Sequence, residues 1–206
     1  MSLFKRKPWT GKTELLFSDK ALTALILPLF LEQLLSVLVG LSDSIMVAQV
    51  GEAAVSAVSL VDSIAILLIN IFNALATGGA VVSGQYLGAK DKKMAAYAGR
   101  QMMQFMVWMS IAIMLLIYLG KYFILHTVFG SIEADVMANC NTYLLISAAS
   151  IPFLGVYCGG AALFRAMGNS KTSMYVSCIM NVINVSGNAI LVFGFHRGVE
   201  GVAIPT

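Results

Sequence analysis

The sequence predicts an all-α integral membrane protein with five full transmembrane helices and the start of a sixth. Of its 206 residues 59% are hydrophobic and only 11% are charged, whereas charged residues make up about a quarter of a soluble chain. Four runs also contain no Asp, Glu, Lys or Arg: 63–89, 101–120, 136–164 and 172–195. Each run reaches the roughly 20 apolar residues that a bilayer-spanning helix needs. Together these observations exclude a soluble enzyme domain.

The first two predicted helices cover residues 21–49 and 53–86. The first qualifies as a span because Glu32 is the one charged residue between positions 21 and 42. Gly51 then gives a tight turn into the second helix. The far end of the second helix is rich in glycine, which predicts a close approach to a neighbouring helix. These glycines are Gly78, Gly79, Gly84 and Gly88.

The next three predicted spans cover residues 95–122, 136–164 and 173–194, with a kink expected at Pro152. Residues 199–206 read as the beginning of a sixth span. Eight helical residues extend only about 12 Å, well short of the roughly 30 Å hydrocarbon core of a bilayer. We therefore expect the chain to be a fragment of a longer protein.

The basic residues predict the orientation in the membrane, because short cytoplasmic loops collect Lys and Arg. The loops form two alternating sets, and eleven of the thirteen basic residues fall in the set that includes the N-terminus. These eleven are Lys5, Arg6, Lys7, Lys12, Lys20, Lys90, Lys92, Lys93, Arg100, Arg165 and Lys171. The opposite set holds Lys121 and Arg197. We expect residues 1–20 to form a cytoplasmic segment of a multi-pass protein.

Polar side chains inside the predicted spans are costly in lipid and by default face the interior of a helix bundle. Asp43 is the main functional candidate, because an ionised carboxylate in hydrocarbon requires a proton, a cation or a partner. Glu32 and Asp62 are secondary candidates, for which a structural role is an equally good interpretation. The amides Asn184 and Asn188 lie one turn apart on the fifth helix. Interhelical hydrogen bonding is the alternative interpretation of these two amides.

Depth in the bilayer groups some of these residues. Asp43, Asn188 and Thr206 each lie about seven residues, hence about 10 Å, below the predicted outer surface. Their oxygen atoms suit a hard cation, or a single proton on the carboxylate with the neutral groups as hydrogen-bond partners. Asn184 sits one turn deeper on the same helix face and is able to join them. Glu32 lies about 16 Å further inward, which excludes it from this group.

Four stretches of the sequence resemble the multidrug and toxic compound extrusion (MATE) family of secondary transporters. They match the family's first helix, the end of its second helix, its loop between helices four and five, and its fifth helix with the start of its sixth. The stretches are 28–50 (PLFLEQLLSVLVGLSDSIMVAQV), 78–91 (GGAVVSGQYLGAKD), 164–172 (FRAMGNSKT), and 184–194 with 201–206 (NVSGNAILVFG, GVAIPT).

The resemblance implies a fold of twelve helices in two six-helix lobes. Residues 21–206 would then be most of the N-terminal lobe, with the C-terminal lobe missing from this chain. It also implies a multidrug efflux antiporter in the cell membrane, which exports small organic cations in exchange for Na⁺ or H⁺ by alternating access. No cofactor and no nucleic acid is expected. The lipid bilayer and the C-terminal lobe would be its partners.

The resemblance further implies an ion or proton site at the positions matching the family's pattern, namely Asp43, Asn184, Asn188 and Thr206. Asp43 would be the ligand of a bound Na⁺. One departure concerns Asn188, where relatives often carry a second carboxylate. The site would then hold one formal negative charge. A single carboxylate is able to titrate as a proton carrier or to bind Na⁺ with neutral oxygens helping, so the coupling ion stays open.

Three other functions compete with the antiporter. A lipid-linked oligosaccharide flippase of the same superfamily is disfavoured, because Lys and Arg avoid the membrane runs and a phosphate-bearing cargo needs them. A half-transporter that does not transport is the second alternative. An intramembrane enzyme is the weakest, since the sequence has no paired-histidine metal motif and no nucleophile elbow. Its two histidines, His126 and His196, are predicted to lie in outer loops.

Overall fold

The computed structural model of the chain describes residues 19–130 and 132–206. Most of the predicted cytoplasmic segment 1–20, with Lys5, Arg6, Lys7 and Lys12, lies outside these described residues. Five helices within the described ranges are long and apolar enough to cross a bilayer, which confirms the all-α membrane fold. The helices are α1 (Asp19–Ala48), α2 (Glu52–Gly88), α3 (Lys92–Phe123), α4 (Ala134–Ala166), α5 (Ser170–Ala189) and the short α6 (Val199–Ala203).

Two helices begin three residues earlier than the sequence predicted, because polar side chains cap their first turns. The carboxylate of Asp91 accepts a hydrogen bond from the backbone N–H of Met94 at 3.0 Å, so α3 begins at Lys92. The side chain of Asn169 accepts one from the N–H of Thr172 at 3.4 Å, so α5 begins at Ser170. Such caps satisfy N–H groups that have no partner within the helix.

The prediction of a loop around His126 is wrong, because α3 continues through this region as a π-helical turn, Ile124–Val128. The ring of His126 stacks on Tyr122, with the two ring centroids 4.2 Å apart. A second π-helical turn, Ile190–Gly194, extends α5 in the same way. His196 lies beyond that turn, as predicted, and adopts a φ of 50°.

The centre of the bundle is α4, which packs against both α2 and α3, while α1 packs mainly against α5. Glycines allow the close contact of α3 with α4. A Cβ atom on Gly155 would lie 2.8 Å from the Cβ of Ser110. The predicted close approach at the end of α2 holds for Gly79, which abuts Met102. It does not hold for Gly78 or Gly88, whose Cβ atoms would meet no atom within 4 Å.

Candidate functional site

The pairing of α1 with α5 brings Asp43 against a fully buried amide. Asn188 is 0% exposed, and its Nδ2 donates a hydrogen bond of 2.7 Å to Oδ1 of Asp43. The same Nδ2 donates a longer bond, 3.3 Å, to Oδ1 of Asn184 one turn away. Asn188 and Asn184 therefore form a chain of hydrogen bonds that runs from the Asp43 carboxylate on α1 along the buried face of α5.

The chain beyond α6 completes this group of side chains. Nδ2 of Asn184 donates a hydrogen bond of 3.1 Å to Oγ1 of Thr206. A glycine allows this contact, because a Cβ atom on Gly187 would lie 2.7 Å from the Cβ of Pro205. The structure thus brings together the four predicted residues Asp43, Asn184, Asn188 and Thr206. We call this group the α1–α5 polar cluster.

The α1–α5 polar cluster presents oxygen atoms and no cationic group. Oδ1 of Asn188 is buried and has no hydrogen-bond partner among the described residues. Within 19–130 and 132–206, no basic side chain lies within 4.0 Å of the Asp43 carboxylate. One carboxylate with amide and hydroxyl oxygens is a donor set that fits a hard monovalent cation, or a proton on the carboxylate.

A small cavity of about 140 Å³ adjoins this cluster. Asp43 and Thr206 line it, together with Asp62 of α2 and Tyr143 of α4. The hydroxyl of Tyr143 donates a hydrogen bond of 3.2 Å to Oδ1 of Asp62. Asp62 therefore lies beside the predicted site, and Tyr143 is a residue that sequence reasoning missed. The only available signal was a tyrosine within a charge-free run, which does not identify its partner 81 residues away.

A larger cavity of about 440 Å³ lies between α2, α4 and α5. Its wall is mostly aliphatic, with aromatic rings from Tyr143, Phe153 and Tyr157 of α4. Ser147 and Ser150 add hydroxyl groups to the same wall. Cavities of this size and character commonly hold small organic ligands.

Glu32 lies outside the α1–α5 polar cluster and belongs to a separate polar contact. It is 6% exposed and accepts hydrogen bonds from Ser173 at 3.0 Å and from Tyr157 at 3.2 Å. Nη1 of Arg165 lies 3.9 Å from its Oε1. These partners belong to α4 and α5, so the contacts of Glu32 hold the first half of α1 against these two helices.

Comparison with known proteins gives a consistent family match. A model of the MatE family matches residues 28–190. The uncharacterized transporter YisQ of Bacillus subtilis is 28% identical over 190 residues, which cover 90% of this chain and 41% of the relative. The multidrug export protein MepA of Staphylococcus saprophyticus is 26% identical over 188 residues, covering 87% and 40%. The chain thus spans about two fifths of the length of these relatives.

Solved structures share the fold. A crystal structure of MATE in complex with MaL6 superposes with a TM-score of 0.86 at 19% identity, covering 91% of this chain and 41% of that one. An outward-facing multidrug resistance MATE family transporter gives a TM-score of 0.82, also at 19% identity, with the same two coverages. The helical arrangement is therefore that of about two fifths of a MATE transporter.

Proposed function

The chain belongs to the MatE family of transporters, and on that premise we propose that it forms part of an antiporter that exports organic cations in exchange for Na⁺ or H⁺. One observation carries the proposal. The carboxylate of Asp43, inside a membrane span, is hydrogen-bonded at 2.7 Å to a fully buried amide and has no basic partner among the described residues. An intramembrane carboxylate in this state requires a proton or a cation.

The coupling ion would bind at the α1–α5 polar cluster. Oδ1 of Asn188 supports this assignment, because a buried amide oxygen without a partner is costly unless a ligand satisfies it. For Na⁺, the carboxylate of Asp43 would supply the charge, and the side chains of Asn184, Asn188 and Thr206 would supply neutral oxygens. For H⁺, the proton would sit on Asp43. The same residues would serve either ion, so the assignment of the site does not depend on which ion is coupled.

The substrate would occupy the cavity of about 440 Å³. Its aliphatic and aromatic wall suits a flat, apolar molecule, and aromatic faces attract an attached positive charge. Small organic cations are therefore the substrate class that we propose. No Lys or Arg lines the 440 Å³ cavity or the 140 Å³ cavity. Basic residues line other grooves of the described chain, and they are Lys20, Lys93, Arg100, Arg165 and Lys171.

Transport would proceed by alternating access, with this lobe moving against a second lobe of similar size. Two-lobe secondary transporters commonly bind cargo and ion near the middle of the bilayer and rock about that site. We place the protein in the cell membrane with its N-terminus in the cytoplasm, because the excess of basic residues lies on that side of the predicted topology.

An efflux assay tests the proposal. Cells that produce the proposed antiporter, of which this chain forms a part, should accumulate less ethidium than control cells, and Asp43→Asn should abolish that difference while the protein still inserts in the membrane. Asp135→Asn is the matched control, because Asp135 is exposed in the first turn of α4 and lies outside the site. Undiminished efflux by Asp43→Asn would refute the role assigned to Asp43.

A further inference from the structure

Asp62 lies at the boundary of both cavities described above. Three residues line the 140 Å³ cavity as well as the 440 Å³ cavity, and they are Asp62, Tyr143 and Thr206. Asp62 is the single charged residue in the wall of the larger cavity. In the smaller cavity it faces the same space as Asp43. The carboxylate of Asp62 on α2 therefore lies in the wall of the proposed ion cavity and in the wall of the proposed substrate cavity.

The described surroundings of Asp62 leave its charge without a counter-charge. Its Oδ1 accepts one hydrogen bond, from the hydroxyl of Tyr143 at 3.2 Å. Across residues 19–130 and 132–206, the two salt bridges involve other carboxylates, those of Glu32 and Glu200. A single neutral donor compensates only part of the cost of a carboxylate in an apolar wall.

We infer that Asp62 is a shared counter-ion, which binds the positive group of a small organic monocation in the larger cavity and adds its charge to the coupling-ion cavity on its other side. This inference rests on the proposed function, and it assigns cation selectivity to a residue outside the α1–α5 polar cluster. The occupant is a monocation because the larger cavity offers one carboxylate and no basic group.

Competition between ion and substrate follows from this arrangement. A cation on either side of the carboxylate screens its charge and makes binding on the other side weaker. The coupling is reciprocal, so that the ion raises the dissociation constant of the substrate by the same factor as the substrate raises that of the ion. Antiport requires this kind of mutual exclusion. The shared wall at Asp62 supplies it without a long-range conformational signal.

The size and lining of the larger cavity agree with such an occupant. A volume of about 440 Å³ lies within the range of roughly 300–1,000 Å³ that is typical of small-molecule sites. Tyr157 and Phe153 bring aromatic rings to the wall, and these attract a cation by their quadrupole. The carboxylate would fix the positive group near Asp62, and the apolar remainder would pack along α4.

Binding measurements on the purified chain in lipid nanodiscs test the inference. The probe is radiolabelled tetraphenylphosphonium, compared with triphenylphosphine oxide as a neutral molecule of related shape. Asp62→Asn should weaken tetraphenylphosphonium binding at least about tenfold and leave the neutral probe's affinity within about twofold, whereas Asp62→Glu should restore binding of the cation. Added Na⁺, or a lower pH, should weaken tetraphenylphosphonium binding to the unsubstituted chain and not to Asp62→Asn.

Four outcomes would overturn the inference. They are an unchanged affinity of Asp62→Asn for the cation, an equal loss of the cation and the neutral probe, a competing-ion effect that persists in Asp62→Asn, and no cation binding by the unsubstituted chain. Failure of the proposed function gives a different result. In that case Asp43→Asn would keep its efflux activity while Asp62→Asn still lost cation selectivity. Asp135→Asn serves again as the control.

Discussion

Removing the amide of Asn188 should destabilise the lobe far more than removing the amide of Asn181, although both are asparagines on α5. Nδ2 of Asn188 donates two hydrogen bonds, one to Asp43 at 2.7 Å and one to Asn184 at 3.3 Å. Nδ2 of Asn181 is buried and has no partner among the described residues. The substitutions Asn188→Ala and Asn181→Ala therefore remove the same atoms but different interactions.

The expected magnitude follows from these contacts. A hydrogen bond to a charged group contributes roughly 1.5–3 kcal/mol, and a side-chain pair four residues apart on one helix, such as Asn184 with Asn188, contributes about 0.2–0.5 kcal/mol. Asn188→Ala should thus lower the free energy of unfolding by roughly 2–3 kcal/mol. For a chain of this size each kcal/mol corresponds to about 2–4 °C in Tm, so the loss should be about 4–12 °C. Asn181→Ala should leave Tm unchanged or raise it, since it deletes a buried donor that has no partner among the described residues.

The cysteines of the chain provide the assay. Cys140 and Cys158 are buried and Cys178 is half-buried, and all three are free. A thiol-reactive fluorophore will label the buried pair mainly after unfolding, so its fluorescence during heating in detergent reports Tm. Equal Tm values for Asn188→Ala and Asn181→Ala would refute the reasoning, because the bond to Asp43 would then contribute nothing measurable.

The same thermal assay checks two other contacts. Gly187→Ala should lower Tm, since its Cβ would lie 2.7 Å from the Cβ of Pro205, whereas Gly120→Ala should raise it, because that Cβ meets nothing within 4 Å and alanine favours helix by about 0.5–1 kcal/mol. An unchanged or higher Tm for Gly187→Ala would contradict the account of the contact between α5 and Pro205. Glu32→Ala should destabilise more than Arg165→Ala, because two hydroxyl groups lie closer to Glu32 than the guanidinium at 3.9 Å does. The reverse order would assign the stability to the ion pair.

Most of the fold followed from the sequence because the membrane restricts the choices. Charge-free runs of 20 residues or more permit little except spanning helices, and all five predicted spans are present. The helix ends were harder to predict. The caps at Asp91 and Asn169 extend α3 and α5 by local hydrogen bonds, and the π-helical turn at His126 continues a helix where a loop was predicted.

The grouping of the candidate site was predictable for a different reason. Helix rise converts sequence position into depth, so Asp43, Asn188 and Thr206 could be assigned to one level. Depth does not determine which helices are neighbours. The contact of Tyr143 with Asp62, on helices α4 and α2, depends on that packing. For this reason the shared wall between the two cavities emerged only from the structure.

The central claim is that the α1–α5 polar cluster binds the ion that drives export. The most direct measurement reconstitutes the proposed antiporter, of which this chain forms a part, in liposomes and follows uptake of ethidium under an imposed Na⁺ gradient and, separately, under an imposed pH gradient. We expect one of the two gradients to drive uptake by the unsubstituted protein and by Asp135→Asn, and neither to drive uptake by Asp43→Asn at equal incorporation. Gradient-driven uptake by Asp43→Asn at the unsubstituted rate would contradict the claim.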